Sequence, residues 1–539
     1  MAPNYKVLII GAGFSGVTLA ILLEHAKIDY EVFEGSPGIS PLGSAVILGP
    51  TVMPLLEQLN ILERVQGISK PVKTLHLVQE DMKRIGEINL SDHVKQTGYA
   101  SLVATRSDLL SILITQIPSH KIHFSKKVVS FSANKDEVVI RCADDTSYKG
   151  QILVGADGAF SKVRELLYKQ VAKKGILPRH DALALAADAA ALAVTSTLSG
   201  DESFETATTS TTTTTSSSTS TLVEGDMLHG AHVSIVGVTR PLDSSDFPIV
   251  KETDSRCDTV ISDNTPYSWS YFAVPGDRVC WAVNVQLDDT SLREQKLGSS
   301  SKSPTLPAPS SRLSTSSISS TSSETPHGQT LAELGWESQE SNTAHPLRKR
   351  LDLEECKAFK IPFNKTLGDL IDATPKEHIA QAITEQTLFE TWYHGRTVLI
   401  GDACHRMLAN AAHQGAVNAM LDAVILGNLI RDLPSASSEH LAEIFKEFQS
   451  ERYSQAKSQM HMNNKVGKLM SGQSWTETLM RKFVVRYMSR IYQHFCDDRI
   501  LADRPQATFM TLVASRGQVH AVPQRPHKTF VSAEAQSKH

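Results

Sequence analysis

Three glycines near the start of the chain have the spacing of a phosphate-binding turn. Gly11, Gly13 and Gly16 follow an apolar run, Tyr5–Ile10, that is typical of a buried parallel strand. Gly11 permits the tight turn, Gly13 lets the backbone approach a pyrophosphate, and Gly16 lets helix and strand pack closely. The N–H groups at the start of the following helix would then face the phosphate charge.

An acidic residue ends the next predicted strand. Glu34 lies about 20 residues beyond the turn, which is the spacing found in dinucleotide-binding βαβ units. Its carboxylate can accept hydrogen bonds from an adenosine ribose and would repel a 2′-phosphate. The pattern therefore indicates FAD or NAD, and not NADP, at this site.

Two aspartates follow further predicted strands. Asp157 lies in Gly155–Gly158, directly after the strand Gln151–Val154. Its carboxylate could cap the next helix or hold cofactor hydroxyls and phosphate-bound water, and the residues alone leave both roles open. Asp402 follows the strand Thr397–Ile400 and could accept hydrogen bonds from a polyol such as the ribityl chain of a flavin.

A third turn leads into a long predicted helix. Gly415 and Ala416 open it, and its positive end would suit the electron-rich pyrimidine edge of a flavin. The three strand–turn–helix motifs together resemble the family of FAD-dependent aromatic-ring monooxygenases, which has the para-hydroxybenzoate hydroxylase fold. The stretches most similar to its fungal branch are LVGADGAFSKVR, WYHGRTVLIGDACH and QGAVNAMLDAVILGNLI.

The resemblance covers three parts of the chain, about 1–180, 230–290 and 360–435. It implies bound FAD, NADPH or NADH as a transient electron donor, O₂, and an aromatic or terpenoid-like organic substrate. It also implies that the flavin does the chemistry, with no catalytic side chain and no metal. The cofactor-binding positions that it assigns are Gly11, Gly13, Gly16, Glu34, Ala45, Val46, Arg106, Asp157, Asp402, Gly415 and Ala416.

The resemblance also assigns particular roles within that set. Arg106 matches the arginine that contacts the ribityl–phosphate region of the flavin, and Ala45 and Val46 match the segment beside the isoalloxazine. One loop departs from the family's pattern, because Ala409 stands where proline is expected and Ala412 where glycine is common. Two alternatives therefore stay open: a non-oxygenating flavin oxidoreductase of the same fold, and a degenerate flavin-binding paralogue.

The predicted fold class is α/β, with a Rossmann-type FAD-binding domain interleaved with a mixed-sheet substrate domain and followed by a C-terminal helical region. Every residue of 207–221 except Ala207 is Ser or Thr, and such a tract has almost nothing to bury. The predicted segments are 1–180 (FAD-binding, first part), 182–229 (low-complexity insertion), 230–298 (substrate-domain sheet), 299–345 (second insertion), 346–395 (substrate domain), 396–435 (FAD-binding, last part) and 436–539 (helical region).

Composition limits the class of protein. The 539-residue chain has a net charge of −4, without the basic excess of a nucleic-acid binder. Its six cysteines are scattered and form no CxxC pair, so we expect a reduced, cytoplasmic protein. The stretch 475–495 is amphipathic with a basic stripe, which predicts a helix that packs on the core or contacts a membrane surface.

Overall fold

The computed structural model describes residues 5–39, 44–196, 232–262, 267–286, 353–384, 386–407, 414–471 and 498–526. The strands within these ranges are β1 (Lys6–Ile10), β2 (Asp29–Phe33), β3 (Ala45–Leu48), β4 (Lys70–Gln79), β5 (Arg84–Asn89), β6 (Leu102–Thr105), β7 (Ile122–His123), β8 (Val128–Ala133), β9 (Val138–Cys142), β10 (Ser147–Gly150), β11 (Ile152–Gly155), β12 (His232–Val238), β13 (Ser255–Ile261), β14 (Tyr267–Val274), β15 (Arg278–Gln286), β16 (Lys360–Ile361), β17 (Lys365–Thr366), β18 (Ile379–Thr384), β19 (Thr387–Leu388), β20 (Tyr393–His394), β21 (Thr397–Leu399) and β22 (His405–Arg406).

The helices in the same ranges are α1 (Phe14–Ala26), α2 (Met53–Gln58), α3 (Leu62–Gly67), α4 (His93–Thr97), α5 (Arg106–Ile114), α6 (Lys162–Lys173), α7 (Arg179–Ser196), α8 (Leu353–Cys356), α9 (Leu367–Asp372), α10 (Gln414–Arg431) and α11 (Ser438–Ser471). None of them is long and apolar enough to cross a membrane.

The first sheet has six strands in the order β20-β21-β11-β1-β2-β7. Its central strands are parallel, because β1 pairs in parallel with both β2 and β11, and β11 pairs in parallel with β21. The side chains of β1 from Val7 to Ile10 are buried, which explains its uninterrupted apolar sequence. Helices α1 and α10 pack against each other on this sheet. Strands β1, β11 and β21, which end near residues 10, 155 and 399, therefore all end at the same edge of this sheet.

The second sheet has nine strands in the order β18-β12-β15-β14-β13-β4-β6-β3, with β5 paired to β4. It is mixed, because β13 pairs in parallel with β4 whereas β14 and β15 pair antiparallel. The predicted α/β class, with a parallel FAD-type sheet interleaved with a mixed sheet, is confirmed. Strands β3, β4, β5 and β13 had not been identified from the sequence.

The two faces of the nine-stranded sheet differ. One face carries Trp269, Tyr271 and Trp281, which are buried in one apolar cluster with side chains of α9. The indole N–H of Trp269 donates to the Lys360 carbonyl, and that of Trp281 donates to the Thr374 hydroxyl. Residues between α8 and β18 therefore cover this face. The opposite face carries small side chains and is described with the site.

Helix α7 corrects the predicted boundary of the first insertion, which was placed at 182–229. Residues 182–196 belong to this helix. Alanine is the best helix former, and two buried aspartates, Asp181 and Asp188, fix the helix to the core. The rest of that insertion, the second insertion at 299–345 and the stretch 475–495 lie outside the described residues.

The C-terminal region contains α11, as predicted, and then a segment without regular secondary structure, residues 503–526, which we call the C-terminal strap. Two side-chain amides hold it to the FAD-type domain. The Gln58 amide donates to the Ala507 carbonyl at 3.1 Å and accepts the Ala507 N–H at 2.9 Å. Asn428 does the same for the neighbouring residues, binding the Gln506 carbonyl and the Thr508 N–H.

Candidate functional site

The glycine turn between β1 and α1 is closed by steric contact. Gly11 has a φ of +104°, and a Cβ there would lie 2.9 Å from Cα of Asp157. A Cβ on Gly16 would collide with the Gly11 carbonyl oxygen. At Gly13, in contrast, no atom lies within 4 Å of a Cβ position, and α1 begins without a side-chain cap. The turn therefore presents an open, uncapped helix N-terminus, which fits a phosphate group.

Glu34 is bound to the backbone of the turn. Its carboxylate accepts the Ala12 N–H at 2.8 Å and the Ser36 N–H at 2.9 Å. A carboxylate has about four lone-pair sites, so these two bonds leave capacity for ribose hydroxyls. The side chain is half-buried at the end of β2. Glu34 thus fixes the glycine turn and can still accept a ligand.

Asp157 is engaged with its own helix. One carboxylate oxygen accepts the Ser161 hydroxyl at 2.5 Å, and the other accepts the Val163 N–H at 3.0 Å. Burial raises the pKa of Asp157, although these hydrogen bonds and Arg164 act in the opposite direction. Of the two roles that the residues left open, this geometry provides the helix-capping one.

The turn after β21 meets the glycine turn directly. Gly401 has a φ of +62°, and a Cβ there would collide with the hydroxyl of Ser15. The adjacent Asp402 is half-buried, and among the described residues none donates a hydrogen bond to its carboxylate. Burial raises the pKa of Asp402, whereas Arg106 and other nearby cations oppose the rise. Within the described part of the chain, this half-buried acceptor has no hydrogen-bond donor, and it fits a hydroxyl-rich chain.

The remaining predicted positions surround Asp402. A Cβ on Gly415, in the first turn of α10, would lie 3.9 Å from an Asp402 oxygen, and Ala416 follows it. The Arg106 guanidinium lies 5.6 Å from the centre of the Phe14 ring, within the glycine turn. Strand β3 brings in the last two positions, since Ala45 pairs with Thr105 and Val46 pairs with Ala104. The structure therefore gathers all the predicted positions at one edge of the parallel sheet.

Asp422 was not identified from the sequence. Its carboxylate supports the Gly401–Asp402 turn at this edge of the sheet. Its carboxylate accepts the Gly401 N–H at 2.9 Å, His405 Nε2 at 2.6 Å and Arg452 Nε at 2.6 Å, and all of these groups are buried. Burial alone would raise the pKa of Asp422, but His405 and Arg452 lower it to about 2. A charged residue inside the apolar helix pattern LDAVIL was the available signal.

A possible metal cluster coincides with this hub. Ligand atoms of Cys404, His405 and Asp422 lie within 4.8 Å of one another. The Asp422 oxygens, however, already accept three hydrogen bonds, and the Cys404 thiol donates to the Gly401 carbonyl. We therefore describe the cluster as a hydrogen-bonded support of the Gly401–Asp402 turn.

The other face of the nine-stranded sheet, opposite Trp269 and Trp281, includes residues of β3. Cys280 and Phe272 pack in one cluster with Ala45, and their cross-strand partners lie on the same face. Farther along the strands this face carries small side chains, which we call the small-residue face: Ser234, Val236, Thr259, Ser268, Ser270, Ala282 and Asn284. Most of them are half-exposed. The Ser234 hydroxyl donates to the Asn284 carbonyl oxygen at 2.6 Å, which leaves the Asn284 NH₂ group as a donor.

Comparison with known proteins adds independent findings. The family model described as FAD binding domain matches residues 4–226. The FAD-dependent monooxygenase ptmM of Penicillium ochrochloron is 24% identical over 437 residues, covering 80% of this chain and 79% of that protein. The FAD-dependent monooxygenase atmM of Aspergillus flavus is 22% identical over 525 residues, covering 95% of this chain and 88% of that protein. The FAD-dependent monooxygenase ctvC of Aspergillus terreus is 31% identical over 180 residues, which are 33% of this chain and 38% of that protein.

Solved structures share the fold over nearly the whole chain. HpxO of Klebsiella pneumoniae, complexed with FAD and uric acid, has a TM-score of 0.58 at 17% identity and covers 93% of this chain and 98% of its own. CtdE, in complex with FAD and a substrate, has a TM-score of 0.55 at 13% identity and covers 92% of this chain and 99% of its own. At these identities the likeness establishes the fold alone.

Proposed function

We propose that this chain, which is similar to FAD-dependent monooxygenases, inserts one oxygen atom from O₂ into an aromatic or terpenoid-like substrate, with NADPH or NADH as the electron donor. FAD, its cofactor, supplies the electron transfer and the oxygen activation when bound. The observation that carries the proposal is the meeting of Gly11, Arg106 and Asp402 at one edge of the parallel sheet.

The first contribution of the chain is to bind the adenosine diphosphate half. The uncapped N-terminus of α1 offers N–H groups and a positive dipole end to the pyrophosphate. Glu34, which is already held by the Ala12 and Ser36 N–H groups, accepts the ribose hydroxyls. Ribose recognition by a carboxylate favours FAD at this site over a 2′-phosphorylated nucleotide.

The second contribution is to orient the flavin half. Asp402 accepts ribityl hydroxyls, and its buried carboxylate gains a partner that the described residues do not supply. Arg106, which acts electrostatically on Asp402, would neutralise phosphate charge. Backbone N–H groups at Gly415 and Ala416 would bind the pyrimidine edge, and Ala45 and Val46 would contact the ring system. Asp157 acts in this scheme chiefly by fixing the start of α6.

The third contribution is to hold the substrate against the small-residue face. Small side chains leave room for a broad, largely apolar molecule, and this face is continuous with Ala45, in the segment that we propose to flank the flavin. The Asn284 NH₂ group and the Ser268 hydroxyl provide polar contacts at its outer part. The oxygen-accepting carbon would then lie between this face and the cofactor, shielded from water.

A flavin oxidoreductase that does not oxygenate is the second candidate. It is favoured by Ala409 and Ala412, which replace residues usual in the family's flavin-facing loop. The two functions differ in the fate of O₂, because only a monooxygenase places a labelled oxygen atom in the product.

The deciding experiment uses the purified full chain. A visible absorbance spectrum reports bound flavin, and NADPH or NADH oxidation is then followed against phenolic, indolic and terpenoid compounds under isotopically labelled O₂. Substrate-dependent oxidation with label in the product supports the proposal. Oxidation without label would support the second candidate, and flavin binding without any turnover would indicate a degenerate paralogue.

The Asp402→Ala variant tests the assignment of the flavin half. We expect it to lose bound FAD, because the ribityl chain loses its main acceptor. The Asp243→Ala variant, at an exposed aspartate in a loop, serves as the control and should retain FAD. Unchanged FAD occupancy in Asp402→Ala would show that this residue does not hold the cofactor.

A further inference from the structure

The small-residue face has a polar outer end. Because alternate residues of a strand lie on the same side of a sheet, Cys280, Ala282 and Asn284 of β15 all belong to this face. Each of them has cross-strand partners on β12 and β14. The partners of Asn284 are Ser234 and Ser268, whereas those of Cys280 are apolar. The polarity of the face therefore rises along β15 from Cys280 to Asn284.

The apolar end of the face lies against β3. Cys280 is buried in one cluster with Ala45, in the segment that we propose to flank the flavin. Burial raises the pKa of the Cys280 thiol, and a hydrogen bond with the Ala45 backbone acts in the opposite direction, so the two residues are in direct contact. A strand rises about 3.3 Å per residue, so Asn284 lies about 13 Å along the face from Cys280.

The amide of Asn284 is oriented by a buried hydroxyl. Ser234, which is 4% exposed, donates from its hydroxyl to the Asn284 carbonyl oxygen at 2.6 Å. The NH₂ group is left as a donor, and within the described ranges it has no hydrogen-bond acceptor. Asparagine is depleted in strands, so sheet formation alone does not favour this residue in β15. The half-exposed outer end therefore presents an oriented donor.

The rest of the small-residue face carries no charge. None of its defined members is Asp, Glu, Lys or Arg, and beside them Leu77 and Ile261 form a buried apolar pair with Ile85. A charged group of a ligand would lose its hydration here without gaining a counter-charge from the face. A neutral oxygen could instead accept a hydrogen bond from Asn284 while the rest of the ligand contacts small and apolar side chains.

We propose that Asn284 is a specificity-determining residue, which selects neutral multi-ring substrates with a carbonyl, ether or hydroxyl oxygen about 13 Å from the end beside the flavin segment. A single-ring compound is too short to contact Asn284 and the flavin segment together. This inference rests on the proposed function, because it takes the position of the flavin from it. It narrows the substrate class to extended molecules with a polar far end.

The test measures binding to the FAD-loaded full chain through the change in flavin absorbance. The probes are progesterone, a neutral compound with four fused rings and a carbonyl oxygen at each end, and pregnane, the hydrocarbon with the same skeleton. We expect progesterone to bind about tenfold more weakly to Asn284→Leu than to the wild type, because one hydrogen bond is lost. Pregnane should bind equally to both. Equal affinities for progesterone, or no binding of progesterone to the wild type, would overturn the proposal.

Two further variants separate recognition from folding. Ser234→Ala combined with Asn284→Leu leaves no buried hydroxyl unpaired and should show the same weakened binding of progesterone. Asn89→Leu makes the same exchange at an exposed asparagine on the opposite face of the sheet and should leave both affinities unchanged. Equal weakening in Asn89→Leu, or loss of FAD from both Asn284 variants, would overturn the proposal. Binding that depends on Asn284 without labelled product would count against the proposed function only.

Discussion

The first and third cofactor turns are stabilised in different ways. The glycine turn is closed by backbone atoms in contact at Gly11 and at Gly16, where any side chain would collide. The turn at Gly401–Asp402 is held by the buried Asp422 carboxylate on α10, which binds the Gly401 N–H, His405 from β22 and Arg452 from α11. The contact at Gly16 is local, because it is made with Gly11, whereas the support of the second turn joins His405, Asp422 and Arg452, which are distant in the chain.

The largest effect is expected from a side chain in the steric turn. Gly16→Ala places a Cβ against the Gly11 carbonyl oxygen, so the turn must open and FAD should be lost almost completely. Flavin absorbance and circular dichroism of the purified protein measure this. Gly13→Ala is the matched control, because no atom lies within 4 Å of its Cβ position and the fold should persist. Equal loss of fold in both variants would contradict steric closure.

Removal of the central carboxylate tests the ionic turn. Asp422→Asn leaves the buried Arg452 with only its longer ion pair to Asp503, at 3.8 Å, and we expect the free energy of unfolding to fall by about 3–5 kcal/mol. Urea denaturation measures the change. Asp144→Asn breaks the ion pair of the more exposed Lys126 and should lower the free energy of unfolding far less, because water screens this pair. Similar costs for the two variants would show that the hub contributes no more than a surface pair.

The ionic turn should also depend on pH, unlike the steric one. The pKa of Asp422 is lowered from 3.8 to about 2, so its contribution is complete above pH 4 and is lost as the pH falls toward 2. The shift corresponds to about 2 kcal/mol. The difference in unfolding free energy between the wild type and Asp422→Asn should therefore stay level above about pH 4 and narrow as the pH falls from 4 toward 2. A constant difference would refute the assignment.

The smallest effect is expected at Glu34, whose side chain binds the backbone of the glycine turn. Glu34→Gln removes the charge but keeps one oxygen for the Ala12 or Ser36 N–H. We expect the dissociation constant of FAD to rise about tenfold, which equals about 1.4 kcal/mol. Glu31→Gln on the same strand, where Glu31 pairs with Lys6, is the control and should leave FAD binding unchanged. Fluorescence titration with FAD distinguishes the two.

The contrast explains which parts of the site were predictable from the sequence. The glycine spacing and Glu34 were readable because each reflects a requirement of the local backbone. Strand β21 beside β11 was also predictable, since both are short apolar runs before a glycine. The resemblance, and not the spacing, supplied Arg106, Ala45 and Val46.

The missed features share a physical cause. Asp422, Arg452 and Asp188 gain their partners only after folding, because a buried charge looks like any surface charge in the sequence. Helix α7 was assigned to an insertion because its alanine-rich sequence shows little amphipathic pattern, while its docking depends on two aspartates. Strands β4 and β13 mix polar and apolar residues and include Asp258, which becomes buried beside His76.

The C-terminal strap has a consequence for synthesis of the protein. The amide of Gln58 binds Ala507 across a separation of 449 residues. Helix α2 therefore cannot make this contact until the intervening chain has been synthesised. At roughly 5–20 residues per second, that interval is about 20–90 s on the ribosome. During this time the Gln58 side chain lacks its Ala507 partner. The contact between α2 and the strap is thus among the last contacts of this domain to form during synthesis.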